Sequence, residues 1–377
     1  MPLKHIPVLL LLCGTLLHAQ TSSPIPATPI PVESATPATS PYPSAVTTPY
    51  PVVPAMPGTP APIALPAQAV TPSAEPSATA AQAQPVEATD LVTRLQIFLD
   101  QQDFGPGIID GRWGEFTGKA LVHYARAHNL KVTPAIYDQL PLDTVFPIYT
   151  TYTITPADGK TVGECPGSPA EAAKMKRMPY PSLTEFLEER YHCSPDFIQK
   201  LNPHLKLDNL KVGDTVRVPN VEPFKIEDIK PEEKLPRHPE FKNRTIYVNT
   251  KEKMLDLYDG KKGLIASFPI TPGSKTLPAP VGVWEIVGLV ALPEFRWDKA
   301  MLEHGHRSSN FYQIPSGPRN PVGVLWCALD KTGIGIHGTD SPQTIGRAGS
   351  HGCIRLANWD AIRFSKMVTP GMTVTIE

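Results

Sequence analysis

The chain has 377 residues, room for two or three domains of ordinary size. A formal net charge of −1 excludes the basic footprint expected of a nucleic-acid binder or of a protein held on an acidic membrane surface. The 45 prolines are roughly twice the usual share, and their uneven spread separates linker from folded chain.

Residues 1–20 read as a secretory signal. Lys4 and His5 give a basic start, Val8-Leu9-Leu10-Leu11-Leu12-Cys13 an apolar run, and Leu17-His18-Ala19 a small-residue cleavage site. The run is too short to span a bilayer comfortably. Leu12 is too large for lipoprotein processing at Cys13. No later segment reads as a span, so the expectation is an exported protein of the periplasm or cell envelope, its signal either cleaved or kept as an anchor. Residues 21–90 follow with seventeen prolines and no Lys or Arg. Such a segment cannot bury a core and is expected to be extended and partly polyproline-like, a spacer or stalk.

Residues 91–145 form a first folded unit. Leu91, Leu95 and Phe98 fall at helical spacing, a glycine-rich turn runs from Phe104 to Gly114, and a second helix is expected over Glu115 to His128. The unit resembles the peptidoglycan-binding helical domain through Leu95-Gln96, Leu99, Ile109-Asp110-Gly111, Trp113-Gly114, Thr117 and Ala120.

Residues 149–221 form a second unit. A strand at Tyr152-Thr153-Ile154 is followed by an amphipathic helix over Leu183 to Tyr191. A second helix starts at Ser194, its cap, with Pro195 in first position. A turn and strand, Leu210 to Pro219, close the unit. This strand-helix-helix-strand pattern resembles a LysM module, which implies binding to N-acetylglucosamine-containing glycans. Residues 222–243, charged and proline-punctuated, read as a second linker, or as an arm lying on the last domain.

From 244 to 377 the pattern turns to short strands. Thr245 to Asn249, Met254 to Tyr258 and Gly263 to Ile270 come first, with a hairpin at Asp259-Gly260. Val281 to Leu292, Val322 to Leu329, Gly333 to His337 and Thr373 to Ile376 continue the series, and one helix is expected from an Asn358 cap to about Val368. Mainly short strands over this length predict a β-sandwich or barrel-like domain. The irregular stretch between Pro293 and Pro321 has the length of a lid or binding loop. His304 and His306 in it are read as solvated rather than as metal ligands.

The five cysteines divide simply. Cys13 leaves with the signal, Cys165 and Cys193 are a candidate disulfide in an oxidising compartment, and Cys327 sits in an apolar strand as a buried thiol. Cys353 differs. It follows Ser350-His351-Gly352 and precedes Ile354-Arg355, sixteen residues after His337. A cysteine is a nucleophile only as thiolate, and a histidine within reach can take its proton. His337 ends a strand and is the better base; His351 belongs to the turn itself. Backbone N–H groups of that turn suit a developing oxyanion, and Arg355 suits a substrate carboxylate.

Residues 244–377 resemble the catalytic domain of YkuD-type L,D-transpeptidases. The motifs are Pro280-Val281-Gly282, Asn320-Pro321-Val322-Gly323, Ile336-His337-Gly338-Thr339, Ile345-Gly346 and Ser350-His351-Gly352-Cys353-Ile354-Arg355. The resemblance implies Cys353 as nucleophile and His337 as base. It further implies an oxyanion turn of Ser350, His351 and Gly352, substrate contacts from Arg355, Gly338 and Thr339, and no cofactor or metal. The fold expected is multidomain: a mainly-β catalytic domain preceded by a small α-helical module and an α+β LysM-like module. The implied partner is peptidoglycan, its stem peptides and glycan strands, with no nucleic acid. The reaction is acyl transfer through a thioester with loss of D-alanine. The acceptor, whether a stem amine, a protein lysine or water, stays open. So do two alternatives, a thiol L,D-carboxypeptidase and a non-catalytic wall-binding protein.

Overall fold

The computed structural model describes residues 88–274, 276–347, 349 and 352–377. The signal at 1–20, nearly all of the proline-rich stretch, and Ser350 and His351 lie outside the described residues.

Helix α1 (Ala88–Gln101) buries Leu95, Phe98 and Leu99, and α2 (Glu115–Ala127) buries Ala120, Leu121 and Tyr124 against it. Gln96 sets the turn between them. Its amide nitrogen donates to Asp110 Oδ1 (3.0 Å), the Arg112 carbonyl (3.1 Å) and Thr117 Oγ1 (3.2 Å), and its oxygen accepts from the Gly111 N–H (3.0 Å). One buried amide with its hydrogen-bonding capacity used specifies the path of the turn.

The next segment runs β1 (Tyr149–Thr153), the short helices α3 (Pro156–Gly159) and α4 (Pro169–Ala172), α5 (Leu183–Arg190), α6 (Pro195–Leu201) and β2 (Thr215–Pro219). β1 and β2 pair antiparallel, Tyr149 opposite Pro219. Ser182 and Ser194 cap α5 and α6 by accepting from the Glu185 and Phe197 N–H groups, each cap being worth about 1 kcal/mol.

The C-terminal half carries β3 (Glu233–Lys234), β4 (Arg244–Asn249), β5 (Met254–Asp259), β6 (Gly263–Pro269), β7 (Thr271–Pro272), β8 (Gly282–Ala291), β9 (Phe295–Trp297), α7 (Lys299–His304) and β10 (Tyr312–Ile314). It ends with β11 (Leu325–Leu329), β12 (Gly335–His337), β13 (Ile354–Arg355), α8 (Asn358–Ser365) and β14 (Thr373–Ile376). The main sheet has the order β6-β5-β4-β14-β8-β11-β12-β13-β7, with β3 added to β8. Its two ends, β6 and β7, are separated in the chain by Ile270 alone. A sheet whose first and last strands are one residue apart has to curl, and the result is a nearly closed barrel. Ile246, Leu257, Phe268, Leu325, Ile336 and Ile354 of its strands form one buried core with Phe364 of α8.

The three segments share a second core. Leu95, Phe98 and Ile109 cluster with Phe186, Leu187 and Phe197 and with Leu292, Val324 and Trp359 of the barrel half. The turn after α1 also covers the open edge of β6: Ser267 N–H donates to the Asp103 carbonyl (2.9 Å) and Gly105 N–H to the Ser267 carbonyl (2.8 Å).

Three expectations are corrected. Asn358 does not cap α8; Ala357 takes that position, and the Asn358 side chain is fully buried elsewhere. Cys165 and Cys193 are free thiols. Cys193 is buried beside Ile109, to which its backbone bridges, while the Cys165 sulfur turns to the Pro179 carbonyl. The stretch from 293 to 321 is not irregular throughout, because β9 and β10 pair as a hairpin around α7. Among the described residues no helix is long and apolar enough to cross a membrane.

Candidate active site

Cys353 enters the fold through Gly352, whose φ of +93° is left-handed and favours glycine. The next two residues form β13, held between β12 and β7. β12 and β13 run parallel, Ile336 opposite Ile354 and His337 opposite Arg355. Paired residues of parallel strands share a face, and alternation puts Cys353 on the face of Arg355. His337, Arg355 and Cys353 therefore project from one side of the barrel wall, with Cys353 the diagonal neighbour of His337. Diagonal neighbours on a sheet face are roughly 7 Å apart, a gap that side chains of these two types span.

The histidine is buried and its tautomer is determined. Its Nδ1 lies 2.6 Å from the Gly338 carbonyl, which can only accept. Nδ1 therefore carries the proton and Nε2 keeps a lone pair. Burial and the Arg355 charge push its pKa down to about 3, more than the Gly338 bond restores. The imidazole is neutral at physiological pH. Its ring also lies over Trp326, centroids 5.6 Å apart.

Burial pushes the Cys353 thiol up to about 11, against the opposing pull of the Gly335 backbone N–H and Arg355. The sulfur is 3.4 Å from the Gly333 carbonyl. The resting pair is thus thiol and neutral imidazole. Arg355 acts on both partners in the same sense, favouring thiolate and disfavouring imidazolium.

Around this pair, Gly338 follows His337 directly, and Thr339 is fully buried with its hydroxyl accepting from the Ser341 N–H (3.2 Å). The chain leading toward residue 349 is pinned at Gly346, whose N–H donates to Thr271 Oγ1 (2.8 Å) and whose carbonyl accepts from Lys253 Nζ (2.6 Å). Met301 of α7 lies against Gly333, so the hairpin helix covers one side of the site. Among the described residues no cluster of three His, Cys, Asp or Glu could hold a metal ion.

A second buried trio, Ser267, His123 and Asp256, has the composition of a hydrolytic triad. Ser267 Oγ (2.8 Å) and Asp256 Oδ1 (2.9 Å) both meet Nδ1 of His123. A proton relay needs them on opposite ring nitrogens, so this cluster ties α2 to the barrel and does no chemistry of that kind. The residues that sequence reading missed around the site are Glu189 and Tyr180, which lie far from it in the chain.

The fold and site define a class: a nearly closed β-barrel with a cysteine, a histidine and an arginine on adjoining parallel strands. Residues 243–376 match the model of the YkuD family, the L,D-transpeptidase catalytic domain. A candidate L,D-transpeptidase, YkuD of Bacillus licheniformis, is 27% identical over 192 residues, 51% of this chain and 92% of that protein. The Bacillus subtilis counterpart is 48% identical over 71 residues, 18% of this chain and 43% of that protein. Among solved structures, an L,D-transpeptidase from Mycobacterium smegmatis aligns at 17% identity with a TM-score of 0.29, covering 36% of this chain and 58% of that one. The catalytic domain of the E. faecium L,D-transpeptidase aligns at 22% identity with a TM-score of 0.29, covering 36% of this chain and 98% of that one. This chain thus spans nearly all of one curated relative and under half of the other.

Proposed function

We propose that the protein is an envelope peptidoglycan L,D-transpeptidase that works through a Cys353 thioester. The observation that carries the reading is the tautomer of His337, which leaves an Nε2 lone pair on the residue that shares a sheet face with the half-buried Cys353. Nε2 takes the Cys353 proton as the sulfur attacks the carbonyl of the third residue of a tetrapeptide stem. The bond to the terminal D-alanine breaks, and the departing amine takes the proton back from His337. An acceptor amine then attacks the thioester, forming an amide and releasing the thiol. Backbone N–H groups at Ser350, His351 and Gly352 are assigned to hold the oxyanion, and Arg355 to hold a substrate carboxylate. Gly338 and Thr339 shape the groove edge.

The acid–base states support a concerted step. With a thiol near 11 and an imidazole near 3, a standing thiolate–imidazolium pair is unfavourable, so the proton moves as the C–S bond forms. A thioester then suits the task, since it reacts readily with amines. Residues 91–145 and 149–221 are assigned to gripping the wall, the second through its strand-helix-helix-strand arrangement.

Mass spectrometry of tetrapeptide stems incubated with the protein tests the reading. Dimers lacking one D-alanine are expected. Tripeptide alone would make the enzyme a carboxypeptidase, and unchanged stems would leave only wall binding. Cys353→Ala should abolish acylation while retaining binding to insoluble peptidoglycan; full turnover in that variant overturns the mechanism.

A further inference from the structure

We infer that Glu189, a buried carboxylate of the upstream helical segment, is a positioning residue for His337, acting through Asn358 and the peptide group that joins Gly338 to Thr339. The inference rests on the reading of His337 as the base.

The contacts form one unbroken series. His337 Nδ1 donates to the Gly338 carbonyl at 2.6 Å. The N–H on the other side of that same planar peptide group belongs to Thr339, and it donates to Asn358 Oδ1 at 3.1 Å. Asn358 Nδ2 donates in turn to Glu189 Oε1 at 2.6 Å. Tyr180 donates its hydroxyl to the other Glu189 oxygen. The donors of His337, Thr339 and Asn358 all point the same way, from the imidazole toward the carboxylate, and Tyr180 meets that carboxylate from its far side. His337, Thr339, Asn358, Glu189 and Tyr180 are all buried, so water does not interrupt the series.

Such an alignment has two consequences. Amides in a chain polarise one another in a low-dielectric interior, so negative charge at Glu189 is felt at the Gly338 carbonyl. A more negative carbonyl stabilises the imidazolium that forms when Nε2 accepts a proton. In Ser-His-Asp sites a carboxylate bonded directly to Nδ1 has this role; here the carboxylate is two amides away. The other consequence is geometric. Asn358 Oδ1 also accepts from the Val324 N–H (3.2 Å), so one side chain fixes the start of β11 and the exit from β12 together. A β-carbon at residue 338 would overlap Asn358 Oδ1, which accounts for glycine beside the histidine.

The assignment also explains why Asn358 is not a helix cap. Its amide is spent on the site, and its oxygen and nitrogen could not be exchanged for a carboxylate without setting two acids face to face.

Single-turnover acylation of a tetrapeptide stem by the full chain tests it, with melting temperature followed in parallel. Glu189→Gln keeps an acceptor for Asn358 Nδ2 but removes the charge, and kcat should fall about tenfold, the scale of one charge-assisted hydrogen bond, with KM held and no loss of melting temperature. Asn358→Asp should cost more, because it opposes two carboxylates. Combining N358D with E189Q lets the new glutamine amide donate to the new carboxylate, and kcat should recover above that of N358D alone. Wild-type kcat in E189Q overturns the relay, as does failure of the double variant to recover, or a kcat loss that only follows loss of folded protein. His337→Ala separates the two claims: full turnover there overturns the base assignment itself, whereas loss there with an unaffected E189Q overturns the relay alone.

Discussion

Arg363 of α8 grips Asp100 of α1 through two parallel hydrogen bonds, Nη1 to Oδ1 at 2.8 Å and Nη2 to Oδ2 at 2.7 Å. Asp100 is fully buried, and His192 Nδ1 lies 3.2 Å from both of its oxygens. His192 in turn stacks on Trp359, 4.8 Å between centroids. One carboxylate thus joins the first helical unit, the second unit and the barrel half.

Breaking that joint should be expensive. Burial alone would raise the Asp100 pKa, but Arg363 and His192 outweigh it and hold the carboxyl well below the usual range. Arg363→Ala leaves a buried charge without its main partner and should cost about 3–5 kcal/mol, read from urea unfolding near neutral pH. A depressed carboxylate pKa stabilises the fold above the unfolded value of roughly 4, and that stability is lost as pH falls through the folded value. Asp100→Asn should therefore flatten the acid limb of the stability curve. A loss within about 0.5 kcal/mol for Arg363→Ala, the range of ordinary surface changes, would mean that the joint carries no load.

The reactivity of Cys353 gives a second test. A thiol held near 11 by burial should be alkylated slowly by iodoacetamide at pH 7, with the rate rising about tenfold per pH unit toward the alkaline range. Arg355→Leu removes a charge that favours the thiolate and should slow alkylation further. Peptide mapping separates Cys353 from the buried Cys193 and Cys327. A rate that is flat from pH 5 to 8 would instead require a standing ion pair with His337 and would sink the concerted proton transfer.

Much of this was legible in the chain. Periodicity located α1, α2, α5 and α6, and Ser194-Pro195 marked a helix start by its local chemistry. The strand series around Asp259-Gly260 and Thr373 to Ile376 gave the barrel half its character, because alternation and turn residues are local signals. What the sequence hid was long-range. Asn358 stands where a helix cap belongs, and only the approach of Glu189 and the Gly338–Thr339 peptide turns it inward. Likewise, composition divided the chain into modules, whereas Trp359, Leu292 and Val324 share one core with Phe98 and Phe186. A joint made of residues so far apart in the chain, 92 positions for Asp100 and His192 and 263 for Asp100 and Arg363, leaves no periodic trace.

The same carboxylate that is assigned to the relay should also weaken the fold as pH rises. Burial pushes Glu189 up to about 7, more than the bonds from Tyr180 and Asn358 pull it back. In the unfolded chain the group ionises near 4.3. Between those values the folded state holds a proton that the unfolded state has lost, so stability falls as pH rises from about 4.5 to 7 and is level above. The full difference is on the order of 3 kcal/mol. Glu188 is also raised to about 7, so the wild-type curve alone does not isolate the effect; the difference between wild type and Glu189→Gln does. That difference should be near zero at pH 4 and should favour the variant at pH 8, measured by chemical denaturation. A variant more stable yet slower at alkaline pH would mark Glu189 as a group kept for what its charge does at His337 rather than for holding the chain together. Equal pH dependence in the two proteins would show that Glu189 titrates as an ordinary carboxyl.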